Sequence, residues 1–377
     1  MDIVRRTIIA YTMDLLNILH DGATYNPPDA NTMLFNAASR GDIVAFKKYL
    51  DQGGNICHWT NGFNCLHIAV KRNRIEIVKY IMEYDPKVYR IQTTDGRSCA
   101  MLASFEGLVD MIRELQAISS SIVENTDEDQ PLSIQTATDK SGNTALHYAA
   151  WGGHTACVTY LVQECGCDIT CTNTEGMDAL HFASAGNHVN CIKEILLLTN
   201  DVSSSGGGGG AECRTTAGFG PLHRAAMYGS IDVIRLLIAH YEDSAIAEGD
   251  GILARKTSFF ERAENGNTPL HIASHRGRVA VVEVLLEEAS KRLTSADKEL
   301  YINLTNHFGL TAVHFACIGY VLSCVVLCAV CVTYSRPVHC NYEHILSYRH
   351  TRIRTVHFLI PPLLHSLEDM QISFISL

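Results

Sequence analysis

Residues Asn267-Thr268-Pro269-Leu270-His271 read NTPLH, and close variants recur as NTALH at Asn143–His147 and GPLH at Gly220–His223. Six histidines, His67, His147, His181, His223, His271 and His314, close a version of this stretch. Carrying the register through two degenerate copies, TMLF at Thr32–Phe35 and SCAM at Ser98–Met101, gives anchors at 35, 67, 101, 147, 181, 223, 271 and 314. Five residues before the anchor, seven of the eight copies have glycine: Gly62, Gly96, Gly142, Gly176, Gly218, Gly266 and Gly309, with Ala30 the exception. Glycine averages about 7% of residues in proteins, so this column marks a repeating unit. Function must then be sought on periodic surfaces rather than in one active site.

Each column has a physical reading. Glycine at −5 suits a turn that needs positive φ. Threonine at −3 can cap the helix that follows, and proline at −2 fits its first turn, where a missing N–H costs nothing. Small residues at +2 and often +3, as in Ala37-Ala38, Ala149-Ala150 and Ala225-Ala226, let neighbouring helices approach closely. From +10 to +15 runs an apolar stripe at helical spacing, as in Val233-Ile234-Arg235-Leu236-Leu237-Ile238. One such unit cannot bury its stripe, whereas a stack can.

The basic step is 32 residues from Phe35 to His67 and 34 from His147 to His181. A period near 33 with this motif resembles the ankyrin repeat, a β-turn followed by two antiparallel helices. The resemblance covers about residues 31 to 330. It implies an all-α solenoid of about eight helix-turn-helix repeats with β-turn fingers. Within it we expect an amphipathic capping segment at 1–30, the array at 31–334 and an atypical tail at 335–377. Longer steps of 46, 42, 48 and 43 residues place insertions at about 118–138, 200–213, 241–263 and 290–306. All follow the second helix of a repeat, so they emerge along one edge of the stack. Tolerated surface loops are one reading; docking elements carrying Phe259, Phe260 and Tyr301 are the other. The acidic Glu124–Gln130 and the run Ser203–Gly210 fall in these insertions.

Composition agrees with a binding solenoid. The 377 residues are 47% hydrophobic with net charge −10, which supports a long core and lacks the basic excess of a nucleic-acid binder. The opening MDIVRRTIIAYTMDLLNILH has no uninterrupted apolar core with a small-residue cleavage site, which argues against a secretory signal. Fourteen scattered cysteines suit reduced thiols in a cytoplasmic protein.

Catalytic and metal-binding patterns are weak. The anchor histidines are spread along the stack and read as polar ties between turn and helix. Cys165, Cys167 and Cys171, with His154, lack the paired spacing of a zinc knuckle, as do His339, Cys340, His344 and His350. No phosphate-binding loop, dinucleotide-binding glycine pattern, kinase signature or nucleophile elbow is present, so no catalytic residue, cofactor or metal site is assigned.

What remains is recognition of a protein partner. In the family resembled, turn tips and first helices line a concave face, and positions +4 and +5 are its exposed variable sites. Here they supply Arg40, Lys71, Arg72, Phe105, Trp151, Met227, Tyr228, His275 and Arg276 as partner-binding candidates. Aromatic, methionine and arginine side chains are the types enriched at interfaces, though Phe105 and Trp151 also suit packing against neighbouring repeats. The expected function is a non-catalytic protein-interaction scaffold or adaptor, with a membrane-attached ankyrin protein and a fragment of a larger enzyme as alternatives. The membrane reading rests on Phe315–Ser335, 21 residues without formal charge. Thr311–Gly319 is already the repeat's own first helix, which leaves Tyr320–Tyr334, short of the roughly 20 residues a span requires. A terminal repeat covered by the tail is therefore the expected arrangement, with an aberrant terminus, whose tail continues no ankyrin pattern, as the remaining alternative.

Overall fold

Glycine at −5 has positive φ in all seven copies, 74° at both Gly176 and Gly218. It closes a turn whose ends bond to each other: Asn173 N–H donates to Met177 O (2.9 Å), and Thr215 N–H to Phe219 O (2.9 Å). Each turn also bonds to the next. Thr216 N–H donates to Glu175 O at 2.8 Å, and Glu264 N–H to Ala217 O at 3.1 Å. A Cβ at Gly176 would lie 2.9 Å from Thr216 N, and one at Gly218 only 2.6 Å from Glu264 N. The column is thus doubly constrained, by backbone conformation and by the next turn's approach.

The computed structural model describes residues 29–123, 133–203, 213–247 and 259–319. The chain forms two compact units, 1–140 and 141–377. In the first, helices Ala30–Arg40, Cys65–Lys71 and Cys99–Phe105 alternate with Ile43–Asp51, Ile75–Tyr84 and Val109–Val123. In the second, Ala145–Gly152, Ala179–Ala185, Pro221–Tyr228, Pro269–His275 and Ala312–Gly319 alternate with Thr155–Gln163, Val189–Ser203, Ile231–Ala247 and Val279–Arg292. Among the described residues there is no β-strand, only isolated bridges such as Thr60 to Phe63. This is the all-α ankyrin architecture expected from the repeat.

Inside each unit first helices pack on first helices and second on second. The +2 alanines, Ala37, Ala69, Ala103, Ala149, Ala183, Ala225, Ala273 and Ala316, are all buried at that contact. A second positive-φ column stands at +6, where the chain reverses between the two helices. It is filled by Gly41, Asn73, Gly107, Gly153, Asn187, Gly229 and Gly277, the two residue types that adopt left-handed conformations most readily.

The first repeat departs from the register. Its helix begins at Ala30, and Asp29 rather than Thr32 is the cap: Asp29 Oδ1 accepts from Thr32 N–H at 2.9 Å. The insertions differ from plain loops too. Three second helices run on into them, to Val123, Ser203 and Ala247, and the fourth insertion folds as helix Ser295–Ile302, capped by Thr294. Phe259 and Tyr301 are buried, ring edge to face at 5.5 Å, with half-buried Phe260 at 5.8 Å from Tyr301. The docking reading of these aromatics is overturned, because the two insertions pack on each other and their rings fill the space between.

Residues 1–28 of the capping segment 1–30, the acidic run 124–130, glycines 206–210 and the tail 335–377 lie outside the described residues. Among those described, no helix is long and apolar enough to cross a membrane, and the segment 315–335 is described only to Gly319.

Buried Leu180 sits at the −1 position of its repeat. Leu180→Ala should cost about 2–5 kcal/mol in urea denaturation, and hydrogen exchange should rise first in that repeat and its neighbours. Gly218→Ala should cost at least ~1 kcal/mol through strain alone. Wild-type stability in both variants would show that the register is misplaced.

Candidate partner-binding face

The anchor histidines hold the scaffold on which the face is built. Each accepts at Nδ1 from the backbone N–H of its helix cap: Asn64 to His67 (3.2 Å), Thr144 to His147 (3.0 Å), Gly220 to His223 (3.3 Å) and Thr268 to His271 (3.3 Å). On the other side of the ring, Nε2 meets a carbonyl of the following repeat: Ile91 (2.9 Å), Met177 (2.9 Å), Asn267 (3.1 Å) and Leu310 (3.1 Å) respectively. Satisfying both partners requires a neutral ring with its proton on Nε2. Burial pushes His67 and His271 down to about 4, against the raising effect of the carbonyls they bond. With both nitrogens committed, these rings are ties between repeats.

A donor at +7 then fixes where the first helix ends. Arg74 Nε donates to Ser39 O at 3.1 Å in the first unit. In the second, His188 Nε2 donates to Trp151 O (3.0 Å), Ser230 Oγ to Ala185 O (3.3 Å) and Arg278 Nε to Met227 O (3.3 Å). In these four repeats a +7 side chain grips the +4 carbonyl of the preceding repeat. Residue +4 is thereby anchored by its backbone, leaving its side chain for other contacts.

The candidate residues are distributed over both units. In the first, Arg40 and Arg72 are exposed, Phe105 is 38% exposed, and the half-buried Lys71 carries its ammonium 5.2 Å from the Phe63 ring centre. In the second, Trp151 is 48% and Tyr228 50% exposed, Met227 is half-buried, and His275 and Arg276 are exposed. Trp151 is both exposed and packed. Its indole stacks near Tyr148, 6.2 Å between ring centroids, and tilts against Phe182 at 6.0 Å. Arg224 lies over Tyr228 at 5.3 Å, and His275 meets the edge of Phe315 at 5.6 Å. The supporting rings Tyr148, Phe182 and Phe315 were not among the candidates. All three occupy +1, and an aromatic residue recurring there is the signal that identifies them.

Burial also accounts for the cysteines. It pushes the Cys165 thiol up to about 11 and Cys167 to about 12, while Cys171 lies 3.6 Å from Thr144 Oγ1. Among the described residues, the three ligand-type side chains that converge are Asp178, His181 and Cys213, not the Cys165–Cys171 cluster. His339, Cys340, His344 and His350 lie outside the described residues.

The family described as ankyrin repeats (3 copies) matches residues 8–92, 85–173, 165–247 and 207–297. These matches take in more than half of the chain, which therefore belongs to the ankyrin-repeat family. Among individual proteins, the NF-kappa-B inhibitor cactus of Drosophila yakuba is 28% identical over 180 residues, 48% of this chain and 30% of that protein. The probable E3 ubiquitin-protein ligase XBOS32 of Oryza sativa subsp. japonica is 29% identical over 209 residues, 51% of this chain and 39% of the relative. Protein ACCELERATED CELL DEATH 6 of Arabidopsis thaliana is 28% identical over 134 residues, 34% of this chain and 20% of the relative. The chain thus spans well under half the length of the curated relatives it matches.

Protonating His67 or His271 breaks a buried tie. The unfolded ring takes up its proton near 6.5, the folded ring only near 4, so the stabilisation is complete above pH 6.5 and disappears as pH falls to about 4. The loss is on the order of 3 kcal/mol for each ring. Urea midpoints measured across that window should fall with pH; midpoints that stay level would mean the folded rings accept protons freely.

Proposed function

We propose that this chain is a non-catalytic adaptor that works in the cytoplasm and binds a protein partner through the +4/+5 face. The reading rests chiefly on Trp151, an indole half open to solvent yet held by Tyr148 and Phe182. Rigid, partly exposed aromatic side chains on an ordered shelf have the character of interface hot spots, because little side-chain freedom is lost when they are covered. Later repeats of the same unit add the apolar Met227 and Tyr228, the ring of His275 and the cationic Arg276. An extended partner segment with an apolar centre and acidic flank complements that surface. Arg40, Lys71, Arg72 and Phe105 form the corresponding face of the first unit.

The relatives suit this reading in different ways. The cactus proteins are named for inhibition of NF-kappa-B, and this chain would share with them the use of an ankyrin array to engage a protein. The rice relative, named as a probable ubiquitin ligase, favours a second reading in which an array of this kind delivers a catalytic domain to its target.

Proximity labelling with the wild-type chain, followed by binding measurements on the captured partner, tests the face. Trp151→Ala should weaken that complex by roughly 2 kcal/mol or more, about thirtyfold in Kd, with an unchanged melting temperature. A lowered melting temperature with unaltered Kd would assign Trp151 to the scaffold instead.

A further inference from the structure

In three successive copies of the second unit the residue ten before the anchor is polar and lies by the cap of the preceding repeat: Cys171, Cys213 and Glu261. Cys171 faces Thr144 at 3.6 Å, and Glu261 lies against Gly220, with Oε1 3.7 Å from His223 Nδ1. Between them, Cys213 faces an acidic cap. Asp178, His181 and Cys213 each offer one ligand atom, and the three atoms lie within 4.8 Å of one another. Asp178 and His181 are buried and Cys213 is half-buried.

His181 differs from the other anchors in what else it meets. Its Nδ1 takes the Asp178 N–H only at 3.5 Å, the longest of these cap contacts, and lies 2.8 Å from Asp178 Oδ1, while its Nε2 is 2.9 Å from Phe219 O. A neutral ring with its proton on Nε2, the form shared by its neighbours, would set the Nδ1 lone pair against a carboxylate oxygen. Something positive must sit between these two acceptors. A proton suffices, but the thiol at the third corner makes the same place suitable for a soft divalent cation. Cysteine, histidine and aspartate are the usual zinc ligands, and bond lengths of about 2.0–2.3 Å put tetrahedral ligand atoms roughly 3–4 Å apart. Closure from the observed spacing takes an adjustment of about one ångström.

We propose that Asp178, His181 and Cys213 form a site for a divalent transition metal of the zinc class, with the fourth position open to water. The outer contacts are already in place. His181 Nε2–H donates to the Phe219 carbonyl, the arrangement that orients a ligating imidazole. Asp178 Oδ1 accepts from His181 N–H at 3.0 Å, which holds the carboxylate over the helix N-terminus. On binding, the metal forms bonds to Sγ, Nδ1 and a carboxylate oxygen; the thiol proton and the proton between Nδ1 and Asp178 pass to solvent. Affinity therefore rises with pH. The metal would bridge two adjacent repeats, since Cys213 belongs to the repeat after that of Asp178 and His181. The site does not draw on the partner-binding face, so either proposal can fail alone.

Two substitutions test it while sparing the fold. Asp178→Asn keeps the cap, as Asn64 caps the helix of His67 in this chain (2.9 Å to His67 N), and Cys213→Ser removes only the soft ligand. The full-length protein is reduced, stripped with chelator and titrated with cobalt(II), following the thiolate-to-cobalt charge-transfer absorption. Wild type should develop a saturable band that zinc abolishes; Cys213→Ser should lose it, and Asp178→Asn should bind at least about tenfold more weakly. Cys171→Ser, the equivalent thiol one repeat earlier, should keep it. Zinc should also raise the melting temperature of wild type but not of Cys213→Ser, the two melting alike without metal. Absence of a band in wild type, or equal bands in wild type and Cys213→Ser, overturns the site.

Discussion

In the repeats of His67, His147, His223 and His271 one imidazole joins two things that would otherwise be separate. Its Nδ1 takes a backbone N–H at the start of its own helix, and its Nε2–H satisfies a carbonyl of the next repeat. Left unpaired in the interior, those backbone groups would each cost free energy comparable to a lost hydrogen bond. The histidine therefore sets both the entry of the first helix and the position of the following turn. The alanine column and the turn-to-turn bonds operate at the spacing this tie imposes, and the array gains stability from nearest neighbours rather than from one central core.

The parts of this plan visible in sequence are those where residue identity and physical role coincide. Glycine at −5, histidine at the anchor and alanine at +2 stay recognisable across insertions because the motif restarts the register after each one. Two other columns recur but vary in chemistry. Position +6 needs a left-handed backbone, which either glycine or asparagine provides; position +7 supplies a donor in four repeats, through Arg74, His188, Ser230 and Arg278, and is Asp42 and Leu108 in two others. What repeats there is a capacity rather than a residue. Phe259 and Tyr301 sit in insertions without a register, so nothing in the spacing indicates that they meet.

The candidate face shows the same division. Positions +4 and +5 can be counted from the anchors, and Trp151 and Tyr228 are indeed half exposed. The support beneath Trp151 comes from Tyr148 three residues earlier and from Phe182 on the next repeat. That second contact depends on how repeats stack. Periodic counting identifies the side chains available to a partner, while stacking determines which of them stand on a rigid base.

Variation inside the second unit is coordinated across repeat boundaries. Where the cap is Thr144, the facing −10 residue is Cys171; where it is Asp178, the facing residue is Cys213, again without formal charge; and where the cap is Gly220, with no side chain, Glu261 supplies a carboxylate. The Glu261 Oε1 atom occupies the space a Cβ at Gly220 would need, and Arg214 pairs with it at 2.9 Å. Each of these buried pockets thus holds at most one carboxylate, contributed from one side or the other. Two facing carboxylates would repel in a region of low dielectric. Cap and −10 residue therefore act as a unit, and the chemistry of each junction is decided by two residues that belong to different repeats.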